Sequence, residues 1–113
     1  MIETLPGKKI HFVGTKGAGM APLAKLLKEM GYEVSGSDKL EQFPTDKILA
    51  DAKIIATEFD VHNLENKPDL VVISAAYSKE NPEVKEAYKK RLAVKPYSEV
   101  LGIISKNYQT IAV

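Results

Sequence analysis

The stretch from Lys9 to Gly36 constrains the fold of this chain more than any other. Lys9-Ile10-His11-Phe12-Val13 mixes β-branched and aromatic residues and stops at Gly14, which reads as a buried strand. Gly14-Thr15-Lys16-Gly17-Ala18-Gly19 then places three glycines in six positions. Met20, Leu23, Ala24, Leu27 and Met30 follow at helical spacing and give one apolar stripe. Pro22 has no N–H to donate and fits only a first turn, so the helix starts near Gly19 or Met20. Gly31 stands where a left-handed helix terminator belongs, and Glu33-Val34-Ser35-Gly36 is a second strand running into Ser37-Asp38. These 28 residues have the length and order of one β-α-β unit.

The same alternation continues downstream. Thr45 can cap a short helix with Ile48 and Leu49 turned inward, and Lys53-Ile54-Ile55-Ala56 predicts a third strand. Leu70-Val71-Val72-Ile73 is an unbroken apolar run, as expected of a parallel strand covered on both faces. Asn81-Pro82-Glu83 is a helix start made of a cap, a first-turn proline and an acid at the positive end of the dipole. Val84, Ala87, Tyr88 and Leu92 form that helix's buried face, Ala93-Val94-Lys95 is a fifth strand, and Ser98-Glu99 opens a last helix through Ile104. The expected architecture is α/β: a Rossmann-like parallel sheet of about five strands with helices on both faces. Thr110-Ile111-Ala112-Val113 reads as the beginning of one more buried strand, which suggests a piece of a longer protein.

Composition removes several function classes. At 113 residues and 44% hydrophobic content the chain is one globular domain. A net charge of +1 argues against a general nucleic-acid or membrane-surface binder. The absence of cysteine rules out disulfides, thiolate metal sites and cysteine nucleophiles. His11 and His62 form no local metal motif, so no metal site is expected. His11 reads as a strand residue packing under a helix, and His62 as a surface-loop residue. No apolar run reaches the roughly 18–20 residues of a membrane span and no signal-peptide pattern is present, so a soluble, cytoplasmic protein is expected.

The glycine turn carries the chemistry. In a β-α-β unit the first turn gathers backbone N–H groups at the positive end of a helix, where an anion meets donors and dipole together. Glycines let a phosphate approach the backbone. Asp38 lies at the tip of the second strand, where a carboxylate can accept hydrogen bonds from ribose hydroxyls and would repel a 2′-phosphate. A phosphate-containing nucleotide is the leading ligand. Lys16 occupies the second glycine position of a dinucleotide fingerprint, and a side chain there crowds pyrophosphate approach. Packing alone could also explain the glycines, and turn formation could explain Asp38.

Ile10-His11-Phe12-Val13-Gly14 followed by Lys16-Gly17-Ala18-Gly19-Met20 resembles the opening of the Mur ligases. Gly31-Tyr32-Glu33-Val34-Ser35-Gly36-Ser37-Asp38, Val72-Ile73-Ser74-Ala75-Ala76 and Asn81-Pro82-Glu83 are similar to later strands and a helix of the same family. The resemblance implies a domain that holds the UDP part of UDP-N-acetylmuramic acid. Gly14, Thr15, Lys16, Gly17, Ala18, Gly19 and Met20 would embrace the diphosphate, with the amides of Gly17, Ala18 and Gly19 as best donors. Ser37 and Asp38 would sit near the ribose, and Ser74 and Ala75 would line the same crevice. It further implies residues 1–108 as the UDP-sugar-binding domain, and 109–113 as the start of a strand leading to an absent ATP-binding central domain. A complete enzyme of this kind would use ATP and magnesium to make an acyl phosphate that the amine of L-alanine attacks. The chain itself would bind without catalysing, and would work with its own missing central and C-terminal domains.

The Lys16 ammonium could reach the diphosphate or simply be a solvated loop lysine. Tyr97-Ser98-Glu99 stands where an arginine often precedes the acid, and Thr57-Glu58-Phe59 replaces the usual Gly-His pair. A recycling ligase that adds a whole peptide to the same nucleotide sugar would use the same domain. A NAD-binding domain of an oxidoreductase and a non-catalytic nucleotide sensor are the readings from other classes.

Overall fold

The computed structural model describes residues 5, 7–75, 77 and 80–112, the last six of these by backbone alone. The elements are β1 (Lys9–Val13), α1 (Met20–Glu29), β2 (Glu33–Ser37), α2 (Asp46–Asp51), β3 (Ala56–Thr57), a 3-10 turn (Val61–Leu64), β4 (Leu70–Ile73), α3 (Pro82–Lys89), β5 (Val94–Pro96) and α4 (Tyr97–Ala112). The five strands form one sheet in the order β3-β2-β1-β4-β5, every pairing parallel. The expected α/β class and strand number are what the structure has.

Strand periodicity sorts the core into two layers. Ile10, Phe12, Leu70 and Val72 point to one face and bury against Leu23, Ala24 and Leu27 of α1, Leu49 of α2, and Val100 and Ile104 of α4. Val13 and Val71 point the other way and meet Leu64 of the 3-10 turn and Val84 and Ala87 of α3. Helices therefore cover both faces. Strand order reverses beside β1, with β2 and β3 on one side and β4 and β5 on the other. In open α/β sheets the crevice at the carboxyl ends of the strands flanking this reversal is where ligands bind.

Three helices end in the same motif, although only one ends in glycine. Gly31 has φ 102°, and the next amide, Tyr32 N, reaches back to Leu27 O. Lys53 at φ 60° and Arg91 at φ 57° occupy the equivalent left-handed position, with Ile54 N bonded to Leu49 O and Leu92 N to Ala87 O. Each pair of residues satisfies the carbonyls a helix end leaves open. This corrects the third strand. Lys53 and Ile54 terminate α2, Ile55 is exposed, and pairing with β2 is limited to Ala56 and Thr57.

Three further expectations differ from the structure. Tyr88, expected in the buried face of α3, is exposed. Thr45 precedes α2 but makes no side-chain cap; its hydroxyl donates instead to the carbonyl of Lys16, 2.5 Å away. Residues 110–112, expected to begin a strand, continue α4. Each residue added to an existing helix gains a bond within the segment, whereas a strand forms only against a partner ladder. Asn81 behaves as read: its side chain accepts from Glu83 N, and Pro82 opens α3.

Candidate functional site

At the crevice the chain leaves β1, turns through residues 14–19 and enters α1. Gly14 has φ 87°, and a β-carbon built on it would fall 2.8 Å from Cβ of Ser74 and from the Tyr77 ring. Both conformation and space require glycine here. Gly14 N and Thr15 N donate to the carbonyl of Ser37 (2.9 and 3.0 Å), Lys16 N donates to Oδ2 of Asp38 (2.9 Å), and Gly17 N donates to the carbonyl of Gly14 (3.1 Å). Four amides are thus spent holding the turn's shape. Those of Ala18 and Gly19 have no backbone acceptor among the described residues. They lie at the start of α1, where the helix dipole favours negative charge. This narrows the expected donor set: Gly17 N is turned inward, and Ala18 and Gly19 remain.

Lys16 neither floats in solvent nor points along the anion path. Its side chain is 8% exposed, and Nζ donates to the carbonyl of Glu41 (2.7 Å). Nζ also lies 3.3 Å from Oδ1 of Asp46, a charge contact without hydrogen-bond alignment, and 5.4 Å from the centroid of Phe43. With Thr45 bonded to its carbonyl, Lys16 fastens the segment 41–46 to the back of the glycine turn.

Asp38 is 4% exposed and forms the other anchor. Oδ2 takes the Lys16 amide, while Oδ1 takes Lys39 N (2.7 Å) and the phenol of Tyr77 (2.9 Å). Burial, reinforced by the bond to Asp38 and the charges of Asp38 and Glu41, pushes the Tyr77 phenol up to about 12. The Tyr77 ring meets Phe59 edge-on, with centroids 4.9 Å apart. Tyr97, at the first turn of α4, places its hydroxyl against Gly19, where a β-carbon would be 2.5 Å away. Ile73, Ser74, Ala75, Tyr77, Pro96 and Tyr97 are among the residues lining a recess of about 150 Å³ at the ends of β4 and β5. A larger cleft of about 430 Å³ runs behind Lys16 along the β3 edge, lined by Leu49, Lys53 and Ile54, and does not include the glycine amides.

The remaining expected site residues serve the crevice from beneath. Thr15 is fully buried against Gly36, with its hydroxyl unpartnered. Met20 is core. Ser37 is fully buried, and its hydroxyl is committed under the sheet, donating to Oε1 of Glu83 (2.7 Å). Ser74 and Ala75 do border the crevice, and Ser74 N bonds the carbonyl of Val13.

The bond from Ser37 leads to a polar cluster that sequence reasoning did not assemble. His11 Nε2 lies 2.6 Å from Oε1 of Glu83, and His11 Nδ1 lies 2.7 Å from the Ser35 hydroxyl. Glu83 Oε2 accepts from Asp60 N (3.0 Å) and Asn63 Nδ2 (2.9 Å). Burial alone would push the Glu83 carboxyl up. The bonds from His11, Asn63, Ser37 and the Asp60 amide together outweigh it and hold the carboxyl below its ordinary value. One signal could have found the cluster: His11 shares its face with Val13, and a buried imidazole needs a polar partner. His62 is a surface residue, 74% exposed, as expected. Among the described residues no group of three or more acidic or histidine side chains could hold a metal ion, and no helix is long and apolar enough to cross a membrane.

A parallel sheet that reverses order at β1, with a glycine turn delivering free amides to a helix start, defines a Rossmann-like domain of the nucleotide-binding type. Residues 9–109 match the family described as "Mur ligase family, catalytic domain". The chain belongs to the Mur ligase family. It is 47% identical over 108 residues to a UDP-N-acetylmuramate–L-alanine ligase of Treponema pallidum (strain Nichols), covering 90% of this chain and 22% of that protein. The crystal structure of UDP-N-acetylmuramate-alanine ligase from Thermotoga maritima superposes with a TM-score of 0.79 at 29% identity, over 88% of this chain and 23% of the other. A UDP-N-acetylmuramate:L-alanyl-gamma-D-glutamyl-meso-diaminopimelate ligase from Neisseria meningitides gives a TM-score of 0.71 at 31% identity, over 80% and 29%. The chain thus spans about a quarter or less of the length of the L-alanine ligases it matches.

Proposed function

We propose that this chain is the nucleotide-sugar-holding domain of an ATP-dependent ligase that joins L-alanine to UDP-N-acetylmuramic acid during peptidoglycan precursor synthesis. The observation that carries the reading is the pair of free amides, Ala18 and Gly19, at the start of α1 in the crevice beside β1. They suit a diphosphate, and Asp38, the residue after β2, is tied to the same turn by the bond from Lys16 N and suits a ribose. Ser74 and Ala75 line the adjoining recess at the ends of β4 and β5. Lys16 and Thr45 act indirectly, by fixing the turn.

Residues 1–108 are assigned to substrate holding. ATP, magnesium and the attack of the amine on an acyl phosphate are assigned to central and C-terminal domains, which the greater length of the relatives makes room for. A cytoplasmic setting follows from that role. The likeness to the peptide-adding enzyme supports one second reading, in which the same domain serves a recycling ligase. The two share the nucleotide sugar and differ in the amine.

Calorimetric titration with UDP-N-acetylmuramic acid, UDP, NAD and NADP tests the assignment. Uridine ligands should bind and the nicotinamide dinucleotides should not. A preference for NAD would overturn the reading and restore the oxidoreductase alternative.

A further inference from the structure

We propose that Tyr77 holds the place of the ligand's ribose hydroxyl on Asp38 and must leave when the nucleotide binds. The inference rests on the nucleotide reading above and adds to it what the crevice does before the ligand arrives. Asp38 cannot meet a ribose as it stands, because its carboxylate is 4% exposed and three donors already surround it. Two of the three, Lys16 N and Lys39 N, are backbone amides. Lys16 N belongs to the turn itself, and Lys39 is the next residue in the chain, so neither can withdraw without rebuilding the loop. The third is a phenol on a rotatable side chain, entering from beyond β4 and crossing over Gly14 to reach Oδ1.

The geometry of the crossing makes Tyr77 a cover. Its ring lies on Gly14, with Phe59 at its edge, and so spans the crevice between the β4 side and the tip of β2. A ribose hydroxyl is the same kind of donor as a phenol, so the ligand replaces one O–H···O⁻ bond with another of equal kind. A ligand carrying only phosphates engages Ala18 and Gly19 but offers nothing in exchange for the phenol. The exchange therefore limits what Asp38 adds to the binding of a ligand with a sugar diol and leaves a phosphate-only ligand untouched. Burial first, and then the bond to Asp38, raise the phenol's pKa, which agrees with a donor held against an anion.

Calorimetry of the wild type and Tyr77→Phe with UDP and with inorganic pyrophosphate tests this. Phenylalanine keeps the ring on Gly14 and removes the competing hydroxyl. UDP should bind Tyr77→Phe about ten- to a hundredfold more tightly than wild type, the range set by one hydrogen bond to a charged group. Pyrophosphate should bind the two equally. Equal or weaker UDP binding by the variant would overturn the inference while leaving the nucleotide reading intact. If neither protein binds UDP or pyrophosphate, the nucleotide reading itself falls, and the inference with it. Should the variant fold poorly, the wild type gives an independent answer. Saturation with UDP should produce a tyrosine difference spectrum as the phenol leaves Asp38, and its absence would overturn the proposal.

Discussion

Asp38 and Glu83 are the two buried carboxylates among the described residues, and they are used differently. Glu83 lies under the sheet with four donors on two oxygens, from His11, Ser37, Asp60 and Asn63. Its capacity is filled, all of it by the protein. Asp38 lies at the crevice with three donors, and one of those sits on a rotatable phenol. A saturated carboxylate makes structure, whereas one with an exchangeable donor can make structure and still answer a ligand. Ser37 joins the two regions: its carbonyl receives the glycine-turn amides and its hydroxyl serves Glu83.

On that contrast, Glu83→Ala should be the most damaging change. It strands His11 and Ser37 in the interior, and breaking such a buried pair costs about 3–5 kcal/mol. Denaturant unfolding would measure it, and a loss under about 1 kcal/mol would mean that Glu83 is not the keystone of the cluster. Gly14→Ala should follow, at about 2 kcal/mol, because φ 87° is strained for alanine and the new carbon meets Tyr77 and Ser74. Its melting temperature reports this, and UDP affinity should fall as well.

Acid should bear on the Glu83 cluster. The Glu83 carboxyl is depressed below 4.5 in the folded chain, so its stabilisation is complete above that pH and is lost as pH falls through the folded value. Glu83→Gln should flatten the stability profile below about pH 5 relative to wild type, and parallel profiles would count against the cluster's electrostatic role. Asp38→Asn should cost less stability, about 1–2 kcal/mol, yet weaken UDP binding about tenfold, whereas Glu83→Gln in folded protein should leave binding nearly unchanged. The smallest effect expected is from Lys53→Gly. It relieves a left-handed lysine and should raise stability by no more than about 1 kcal/mol in thermal unfolding.

That last variant marks a boundary of what the sequence discloses. Gly31 announces the end of α1 because glycine accepts a positive φ at no steric cost. Lys53 and Arg91 make the same turn without glycine, so Lys53-Ile54-Ile55-Ala56 reads as a strand from its residues alone. The turn is compensated by backbone bonds and, after α2, by the burial of Ile54, none of which leaves a local signature.

The sequence alone determined the parallel α/β class, the glycine turn at 14–19 and the position of Asp38. Each follows from short-range rules: side-chain alternation, the missing N–H of Pro22, and phosphate access at a turn without side chains. Only the tertiary structure decided which amides remain free, that Lys16 fastens a loop, that Ser37 faces inward, and that Tyr77 lies on Asp38. The partners in those contacts are 22 to 46 residues apart. A hydrogen bond across such a distance depends on how strands and helices are stacked, which no local pattern encodes.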